Sequence, residues 1–403
     1  MSKRSHASPP PGPPKSRRRL KQAVIALLLI GVAVCLARWD FITVVGLKNG
    51  EFVVMRYRFF DESADLPRLQ LLRKREKLDQ VIAPGKTQFE KFVLLRKWVH
   101  DQWKNQGRFY YPPWDALEIL DLARQHQNYG FCGQYSIVFA QACLSLGLHA
   151  RYINLGHFLT AVWSDEYNRW VVMDPTNDLH YERDGLPLRG RELADAAWHD
   201  QAQGIFAVGS DGSRTPVTGE GLRPWRNYAI IMRNNHLTKP VVVRRQGRLE
   251  PLVHQDDYRK YLLAGRDEVA WVAEALAWYP PDLPADKMDL SRPASGDPQD
   301  FRDVYNQTLI FLAAKDVKSG SVKLKLLAEH APEFQSFLID GQHEAPQDQI
   351  IFKLKPGLNT CSARVKTRFG WLGPESSIKI FYKPDWFARS DHRSAMELKL
   401  GLP

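Results

Sequence analysis

One cysteine, one histidine and one aspartate occur in an order and spacing that suit a thiol nucleophile. Cys132 lies in the run GFCGQY, His157 follows a glycine, and Asp174 precedes a proline. A cysteine attacks as its thiolate, which a neighbouring imidazole activates while a carboxylate orients the imidazole. The three residue types therefore indicate nucleophilic catalysis, provided that the fold brings them together.

The residues after Cys132 predict a helix that runs to about Leu146. A glycine stands at position 147, where a helix C-cap is expected. Cys132 would begin this helix, whose free N–H groups and dipole favour a thiolate and can also hold an oxyanion. A structural cysteine is the alternative, and it is the better interpretation for Cys143, which lies in the middle of the same helix. The predicted buried stripe consists of Tyr135, Phe139, Ala142 and Leu146.

His157 and Asp174 fall on neighbouring predicted strands. The alternation of apolar residues predicts strands at Ala150–Leu155, His157–Trp163 and Trp170–Asp174, the last two joined by a turn over residues 164–168. If Trp163 lies opposite Trp170, His157 lies opposite Thr176 and diagonal to Asp174, on the same face of the sheet. A register shifted by one residue would separate them. The alternatives are a strand-end histidine bonded to backbone and an Asp-Pro turn.

The remaining pattern predicts helices before this hairpin and strands near the C-terminus. Thr87 and Glu90 form a capping-box pattern at the start of a helix, and a second helix is expected over residues 116–124. Residues 41–45 and 51–60 are predicted strands. From about residue 300, short strands at regular spacing predict a β-sandwich, whereas residues 180–285 give no sharp signal.

The positive charge of the chain is concentrated at its N-terminus. The net charge is +11, and residues 1–21 contain seven basic residues and no acidic one. The small excess spread over the rest of the chain argues against a nucleic-acid-binding protein. The seven basic residues are Lys3, Arg4, Lys15, Arg17, Arg18, Arg19 and Lys21.

An apolar segment follows the basic residues. Gln22–Ala37 has 16 residues and no charge, which is short for a span of about 20 residues, although flanking cations can extend toward the headgroups. We predict an uncleaved transmembrane anchor over residues 22–38, with the N-terminus cytoplasmic and the bulk of the chain extracytoplasmic. A cleaved signal peptide is the alternative, but residues 35–37 match a cleavage site poorly.

The cysteine count and the motif content limit the other function classes. The chain has four cysteines, without a CxxC pair or an even ladder, so neither a zinc site nor a disulfide framework is expected. HExxH, GxSxG and phosphate-binding glycine loops do not occur. We therefore expect no cofactor and no metal. The four are Cys35, Cys132, Cys143 and Cys361.

The motif set over roughly residues 85–180 resembles the transglutaminase-like superfamily, in its bacterial branch. The family's cysteine, histidine and aspartate correspond to Cys132, His157 and Asp174. The resemblance implies a papain-like α+β core in which the thiolate attacks an amide carbonyl and the acyl group passes to an amine or to water. The motifs are Trp98-Val99, Gly130-x-Cys132-Gly133, Leu146-Gly147-Leu148-x-Ala150-Arg151, Gly156-His157 and Trp170-Val171-Val172-x-Asp174-Pro175-Thr176.

Two departures from the family pattern leave the substrate and the acyl acceptor open. The interval between Cys132 and His157 is short, and Ala161 stands where the family often has an acidic residue. Trp98 and Trp103 are candidates for the aromatic residue that assists the oxyanion site in some members. The alternative to an enzyme is a membrane-anchored binding or scaffold protein that keeps this fold without catalysis.

The predicted architecture is therefore α+β, with a helix carrying the cysteine and an antiparallel sheet carrying the histidine and aspartate. An immunoglobulin- or fibronectin-like β-sandwich would follow this core, and one membrane helix would precede it. The expected partners are a protein or peptide substrate and the membrane, without nucleic acid. The predicted segments are a basic tail (1–21), the anchor (22–38), the transglutaminase-like region (39–285), the β-sandwich (286–386) and a tail (387–403).

Overall fold

The computed structural model describes most of the chain between residues 15 and 384. Some predicted segments lie wholly or partly outside it, namely the start of the basic tail, parts of the region 186–285 and the C-terminal tail. The described residues are 15–39, 41–104, 114–125, 130–239, 242–245, 248–251, 268–269, 275–289 and 293–384.

Most of the helices of the described residues precede the β3–β4 hairpin in the chain. Helix α4 begins with the predicted capping box, in which Thr87 Oγ1 accepts from the Glu90 N–H at 3.2 Å and Glu90 Oε2 accepts from the Thr87 N–H at 3.3 Å. Helix α6 is buried along its whole length after Cys132, so it is a central helix and not one with a single buried stripe. The helices are α1 (Lys15–Arg38), α2 (Pro67–Arg75), α3 (Leu78–Ile82), α4 (Gln88–His100), α5 (Ala116–Arg124), α6 (Cys132–Ser145), α7 (Gly190–Trp198) and α8 (Gly219–Leu222).

A long, mainly antiparallel sheet packs against α4, α5 and α6. Its strand order is β14-β13-β9-β2-β3-β4-β5-β7-β8, with β6 paired to β5, and only the β13–β14 pair is parallel. The sheet has apolar clusters on both faces, so β3 is buried at every position. Its strands are β2 (Ala150–Asn154), β3 (Phe158–Ser164), β4 (Arg169–Asp174), β5 (Leu179–Arg183), β6 (Leu186–Pro187), β7 (Ile205–Gly209), β8 (Arg214–Pro216), β9 (Ala229–Ile231), β13 (Ala275–Trp278) and β14 (Ala294–Ser295).

Two further sheets near the C-terminus enclose a separate apolar core. One has the order β1-β21-β20-β17-β18 and the other β15-β16-β19, and both contribute side chains to one cluster. This β module agrees with the predicted C-terminal sandwich. Its strands are β1 (Phe41–Lys48), β15 (Gln307–Asp316), β16 (Ser321–Glu329), β17 (Phe334–Ile339), β18 (His343–Ala345), β19 (Gln349–Lys353), β20 (Gly357–Thr367) and β21 (Ser376–Lys383). A third small sheet contains β10 (Val242–Arg245), β11 (Arg248–Pro251) and β12 (Glu268–Val269).

Two expectations for residues 41–60 differ from the structure. The sequence assigns strand β1 to the transglutaminase-like region 39–285, but the strand pairs antiparallel with β21, from Phe41 opposite Lys383 to Lys48 opposite Ser377. The predicted strand over 51–60 is wrong. The predicted alternation of buried and exposed residues is present, because Val53 is buried and every second residue after it is partly buried against the large sheet. The segment nevertheless pairs with no strand among the described residues. Alternation reports burial on one side and not the presence of a strand partner.

The β module contacts the far end of helix α6. The Trp371 Nε1–H donates to the carbonyl oxygen of Leu146 at 2.9 Å, and the Phe369 ring packs on Gly147. Arg368 pairs with Asp65, which precedes α2, at 2.6 Å. The hairpin loop between β20 and β21 therefore holds the C-terminal end of the helix that begins with Cys132.

Helix α1 precedes the β module directly. Its apolar side chains from Val24 to Leu36 are exposed, and Lys383 Nζ donates to the carbonyl oxygens of Leu36 and Trp39 at 2.8 and 2.7 Å. Across the part of the chain that the structure describes, no helix is both long and apolar enough to span a bilayer. The anchor over residues 22–38 stays a prediction.

Replacing Gly147 with alanine is expected to weaken the contact between the two modules. Gly147 has a φ of +69°, and a Cβ there would overlap the Phe369 ring. We expect a loss of about 1 kcal/mol from the left-handed backbone and about 1–3 kcal/mol more from displacing the ring. Urea unfolding of the full-length protein measures the loss.

Gly185→Ala is the matched control for this substitution. Gly185 has a φ of +74°, but no atom lies within 4 Å of the position that a Cβ would take, so it carries the backbone cost alone. Equal losses for the two variants would show that the Phe369 contact contributes nothing to stability.

Candidate active site

Cys132 occupies the first residue of α6, as the sequence predicts. The preceding residue, Phe131, donates its backbone N–H to Gln134 Oε1 at 3.1 Å, which fixes the chain as it enters the helix. Cys132 is partly exposed, whereas Cys143 in the same helix is fully buried. A thiol at this position faces the positive end of the helix dipole and is accessible to a reagent.

The residue two before Cys132 must be glycine because two aromatic rings close over it. A Cβ on Gly130 would lie 2.6 Å from Tyr135 Cε2 and 2.7 Å from Trp103 Cγ. The centroids of these two rings are 4.3 Å apart. Of the two tryptophans that the sequence suggests for the oxyanion site, Trp103 therefore packs beside the segment that leads to Cys132. Its indole Nε1 is buried and has no hydrogen-bond partner among the described residues.

Two hydrogen bonds join helix α6 to strand β3, next to His157. Ser136 Oγ donates to the carbonyl oxygen of Phe158 at 2.9 Å, and Thr160 Oγ1 donates to the carbonyl oxygen of Ser136 at 3.3 Å. All the atoms in these bonds are buried. Ser136 lies one turn beyond Cys132, and Phe158 follows His157 directly. The two bonds therefore bring the start of the helix and the start of the strand together.

The β3–β4 hairpin has the predicted register. Trp163 lies opposite Trp170, and Thr160 lies opposite Met173. His157, just before β3, and Asp174, the last residue of β4, then share a face, and His157 Nε2 lies 3.0 Å from Asp174 Oδ2. The His157 side chain is 32% exposed, while that of Asp174 is 2% exposed.

Asp174 is held by four hydrogen-bond donors. Its Oδ1 accepts from the backbone N–H groups of Thr176 and Asn177 at 3.0 and 3.1 Å, and its Oδ2 accepts from Asn177 Nδ2 at 2.9 Å as well as from His157. Asp174 thus starts a turn and also binds the imidazole. The two interpretations that the sequence left open for it are compatible, because Oδ1 accepts from the backbone of the turn while Oδ2 can bind the imidazole as well as Asn177.

The imidazole also interacts with the thiol. His157 and the backbone N–H groups of Phe158 and Gly133 each act on the Cys132 sulfur. Because His157 Nε2 faces Asp174, the nitrogen left for the sulfur is Nδ1. The structure therefore brings Cys132 together with His157, and His157 within hydrogen-bond distance of Asp174.

The electrostatics favour the charged pair of thiolate and imidazolium. Burial opposes each charge, but the bonds to Asp174 and Cys132 outweigh it and raise the pKa of His157 to about 10. The bonds from His157 and from the Phe158 N–H likewise outweigh burial and lower the pKa of the Cys132 thiol. The bond from His157 also keeps the pKa of Asp174 below its ordinary value. These directions favour a negative charge on the sulfur and a positive charge on the ring.

Sequence reasoning missed the residues that support these three. Ser136, Asn177 and His100, whose Nδ1 lies 3.0 Å from the Thr176 carbonyl oxygen, belong to none of the family motifs. The sequence signal for Ser136 was a small polar side chain in a helix that is mostly apolar. Within the described residues, no cluster of three or more His, Cys, Asp or Glu side chains is arranged to hold a metal ion.

Alkylation of Cys132 by iodoacetamide is expected to stay fast at pH values below the ordinary thiol pKa. Thiolate is the reactive form, so its rate follows the lowered pKa of Cys132. In His157→Ala the imidazolium is lost, burial then dominates, and labelling at pH 7 should fall at least about tenfold for each pKa unit regained. Mass spectrometry of the labelled peptide gives the rate at each pH.

Cys143 provides the internal control for this experiment. Burial raises the pKa of Cys143 well above its ordinary value, so Cys143 should stay unlabelled in the folded protein. In Cys132→Ser, neither position 132 nor Cys143 should therefore be labelled between pH 6 and 8. Faster labelling of Cys143 than of Cys132 would contradict the assignment.

Comparison with known protein families agrees with this geometry. The model of the transglutaminase-like superfamily matches residues 75–175, a stretch that contains Cys132, His157 and Asp174. No curated protein matches the chain. The match ends just after β4, so the outer strands of the large sheet and the β module lie beyond it. Residues 75–175 of this chain are therefore a domain of the transglutaminase-like superfamily.

Proposed function

We propose that this protein is a thiol-dependent enzyme that acts on amide bonds. In this proposal Cys132 is the nucleophile, His157 is the acid and base, and Asp174 orients the imidazole and stabilises its positive charge. The observation that carries the proposal is the contact of His157 with Asp174 Oδ2 at 3.0 Å, in a histidine that also interacts with Cys132 at the accessible start of a buried helix. The superfamily match supports the same chemistry.

The proposed reaction has two stages. The Cys132 thiolate attacks the amide carbonyl carbon, a C–S bond forms, and the oxygen carries the negative charge of the tetrahedral intermediate. The imidazolium of His157 gives its proton to the departing amine as the C–N bond breaks, which leaves a thioester. Neutral His157 then takes a proton from water or from an amine, which attacks the thioester and releases the thiolate.

Two groups are placed to bind the oxyanion. The backbone N–H of Cys132, the first residue of α6, points toward the helix N-terminus. The Trp103 indole N–H belongs to the ring that packs on Gly130. We assign both as donors to the carbonyl oxygen in the proposed intermediate, and we expect the substrate to be a protein or peptide.

Ammonia release from a glutamine-containing peptide tests the proposal. The purified full-length protein should release ammonia, and product analysis with and without added methylamine separates amine transfer from hydrolysis. Turnover should rise with pH as Cys132 loses its proton and fall as His157, with a pKa of about 10, loses the proton that it gives to the amine. Cleavage of the peptide backbone, followed by mass spectrometry, would instead identify a peptidase.

Variants at three positions make this test specific. Cys132→Ala should abolish turnover, whereas Cys143→Ala, at a fully buried position of the same helix, should retain it. Asp174→Asn keeps an oxygen for the turn N–H groups but loses the charge that faces His157, so its rate should fall by a larger factor than its unfolding equilibrium changes. If no amide substrate reacts and the thiol has an ordinary pKa, the non-catalytic binding or scaffold function holds.

We also propose that α1 anchors the protein in a membrane, with its basic end cytoplasmic and the two modules extracytoplasmic. Its exposed apolar side chains between Val24 and Leu36 and the basic residues before them support this proposal. A chain without residues 1–38 keeps β1 and should be released from the membrane fraction as a folded protein. Continued sedimentation of that variant with membranes would contradict the anchor.

A chain without residues 1–48 is the matched comparison. It also loses β1, which pairs with β21 along its length. Its free energy of unfolding should be lower than that of the first truncation, which separates the contribution of the strand from that of the helix.

A further inference from the structure

Arg96 is a charged residue enclosed in the apolar interior, on helix α4. Its side chain is 0% exposed. Its Nε donates to Asp178 Oδ1 at 2.9 Å, and its Nη1 lies 3.0 Å from His180 Nδ1 and 3.5 Å from the Met173 sulfur. Its Nη2 is buried and has no hydrogen-bond partner among the described residues. Enclosing a guanidinium with part of its donors unpaired is costly, so a role beyond packing is indicated.

The groups that Arg96 contacts lie on both sides of the turn that Asp174 begins. Met173, the residue before the end of β4, lies opposite His180 on β5, and residues 175–178 form the turn between the two strands. Asp178 has a φ of +51°, a left-handed conformation that is uncommon for a residue with a Cβ. The Arg96 bond therefore holds the turn at its most constrained residue, and Ser210 Oγ donates to the other oxygen of the same carboxylate.

The network continues outward from His180 to the surface. Arginine only donates, so His180 Nδ1 accepts, and its Nε2 carries the proton that bonds Glu182 Oε1 at 2.9 Å. Burial and the nearby Arg96 charge lower the pKa of His180 to about 4, so this ring is neutral near pH 7. Arg214 pairs with the other oxygen of Glu182 at 2.7 Å. Glu182, the charged residue of β5 in this network, is thus paired with Arg214. The charge of Arg96 therefore acts on the turn.

Helix α4 connects this turn to the thiol. It packs against α6, which begins with Cys132, and its last residue, His100, bonds the Thr176 carbonyl oxygen at 3.0 Å. Arg96 and His100 lie one helical turn apart, so α4 holds the turn at two points. The negative charge of Asp174, on β4, also acts on the Arg96 guanidinium. One helix therefore supports both the nucleophile and the carboxylate.

We propose that Arg96 is a positioning residue, which fixes the Asp174 turn against the helix that carries Cys132 and keeps Asp174 aimed at His157. This inference rests on the proposed function, because it assigns a support to the same site. Without Arg96, the carboxylate loses its fixed direction, the imidazolium loses stabilisation, and the thiol becomes a weaker acid.

The test compares Arg96→Met with Arg151→Met in the full-length protein. Arg151 is a second buried arginine, 3% exposed, whose partner Asp303 is 2% exposed, and among the described residues it forms no ion pair with the Asp174 turn or with α4. The measurements are urea unfolding and the pH dependence of iodoacetamide labelling at Cys132. Both variants should lose stability, but only Arg96→Met should raise the apparent thiol pKa, by about one unit, which slows labelling about tenfold below that pKa.

Arg96→Lys keeps a cation but cannot bond Asp178 and His180 together. We expect it to shift the thiol pKa in the same direction as Arg96→Met and by less, and it serves as the test if the methionine variant does not fold. An unchanged thiol pKa in the Arg96 variants that fold overturns the proposal, as does an equal shift in Arg151→Met.

The wild-type profile separates this inference from the proposed function. If Cys132 of the wild-type protein titrates with an ordinary thiol pKa, no assembled pair exists, and the proposed function and its support fail together. If the wild-type thiol pKa is low and stays low in the Arg96 variants, only the positioning role fails.

Discussion

The hydrogen bond from Ser136 Oγ to the Phe158 carbonyl oxygen is the contact on which the rest of the site depends. It is buried, and it joins the helix that begins with Cys132 to the strand that begins next to His157. A serine hydroxyl in an apolar helix interior has few partners, so this bond has little freedom to change. The separation of the thiol and the imidazole is therefore set by buried bonds between short hydroxyl side chains and main-chain carbonyl oxygens.

A second level of support comes from elements that touch neither the thiol nor the imidazole. Helix α4 is hydrogen-bonded to the Asp174 turn, and the β20–β21 loop contacts the C-terminal end of α6 through Phe369 and Trp371. The Asp165 side chain, in the β3–β4 turn, accepts from Asn306 Nδ2 at 3.0 Å, just before β15. The β module thus contacts both the helix and the hairpin that carry the site, at their ends remote from the sulfur.

The sequence predicted the parts of this arrangement that arise from short-range patterns. The start of α6 at Cys132, the capping box of α4 and the Trp163–Trp170 register each follow from local spacing. The sheet partner of β1 did not, because nothing in its own alternation distinguishes pairing with β21 from pairing with a nearby strand. Arg96 was also missed, since a single arginine at a helical position is most often exposed, and its burial arises only when the turn closes over it.

The pairing of β1 with β21 has a consequence for how the chain folds as it is made. Gly50 and Ser376, which are 326 residues apart, are joined by a hydrogen bond beside this pair, so the transglutaminase-like domain interrupts the β module in sequence. At about 5–20 residues per second, translation takes some tens of seconds to supply the missing strand. During that interval β1 is an unpaired edge at the exit of the apolar helix α1, open to other strands. The β module then closes last, because β21 is the last of its strands to be made.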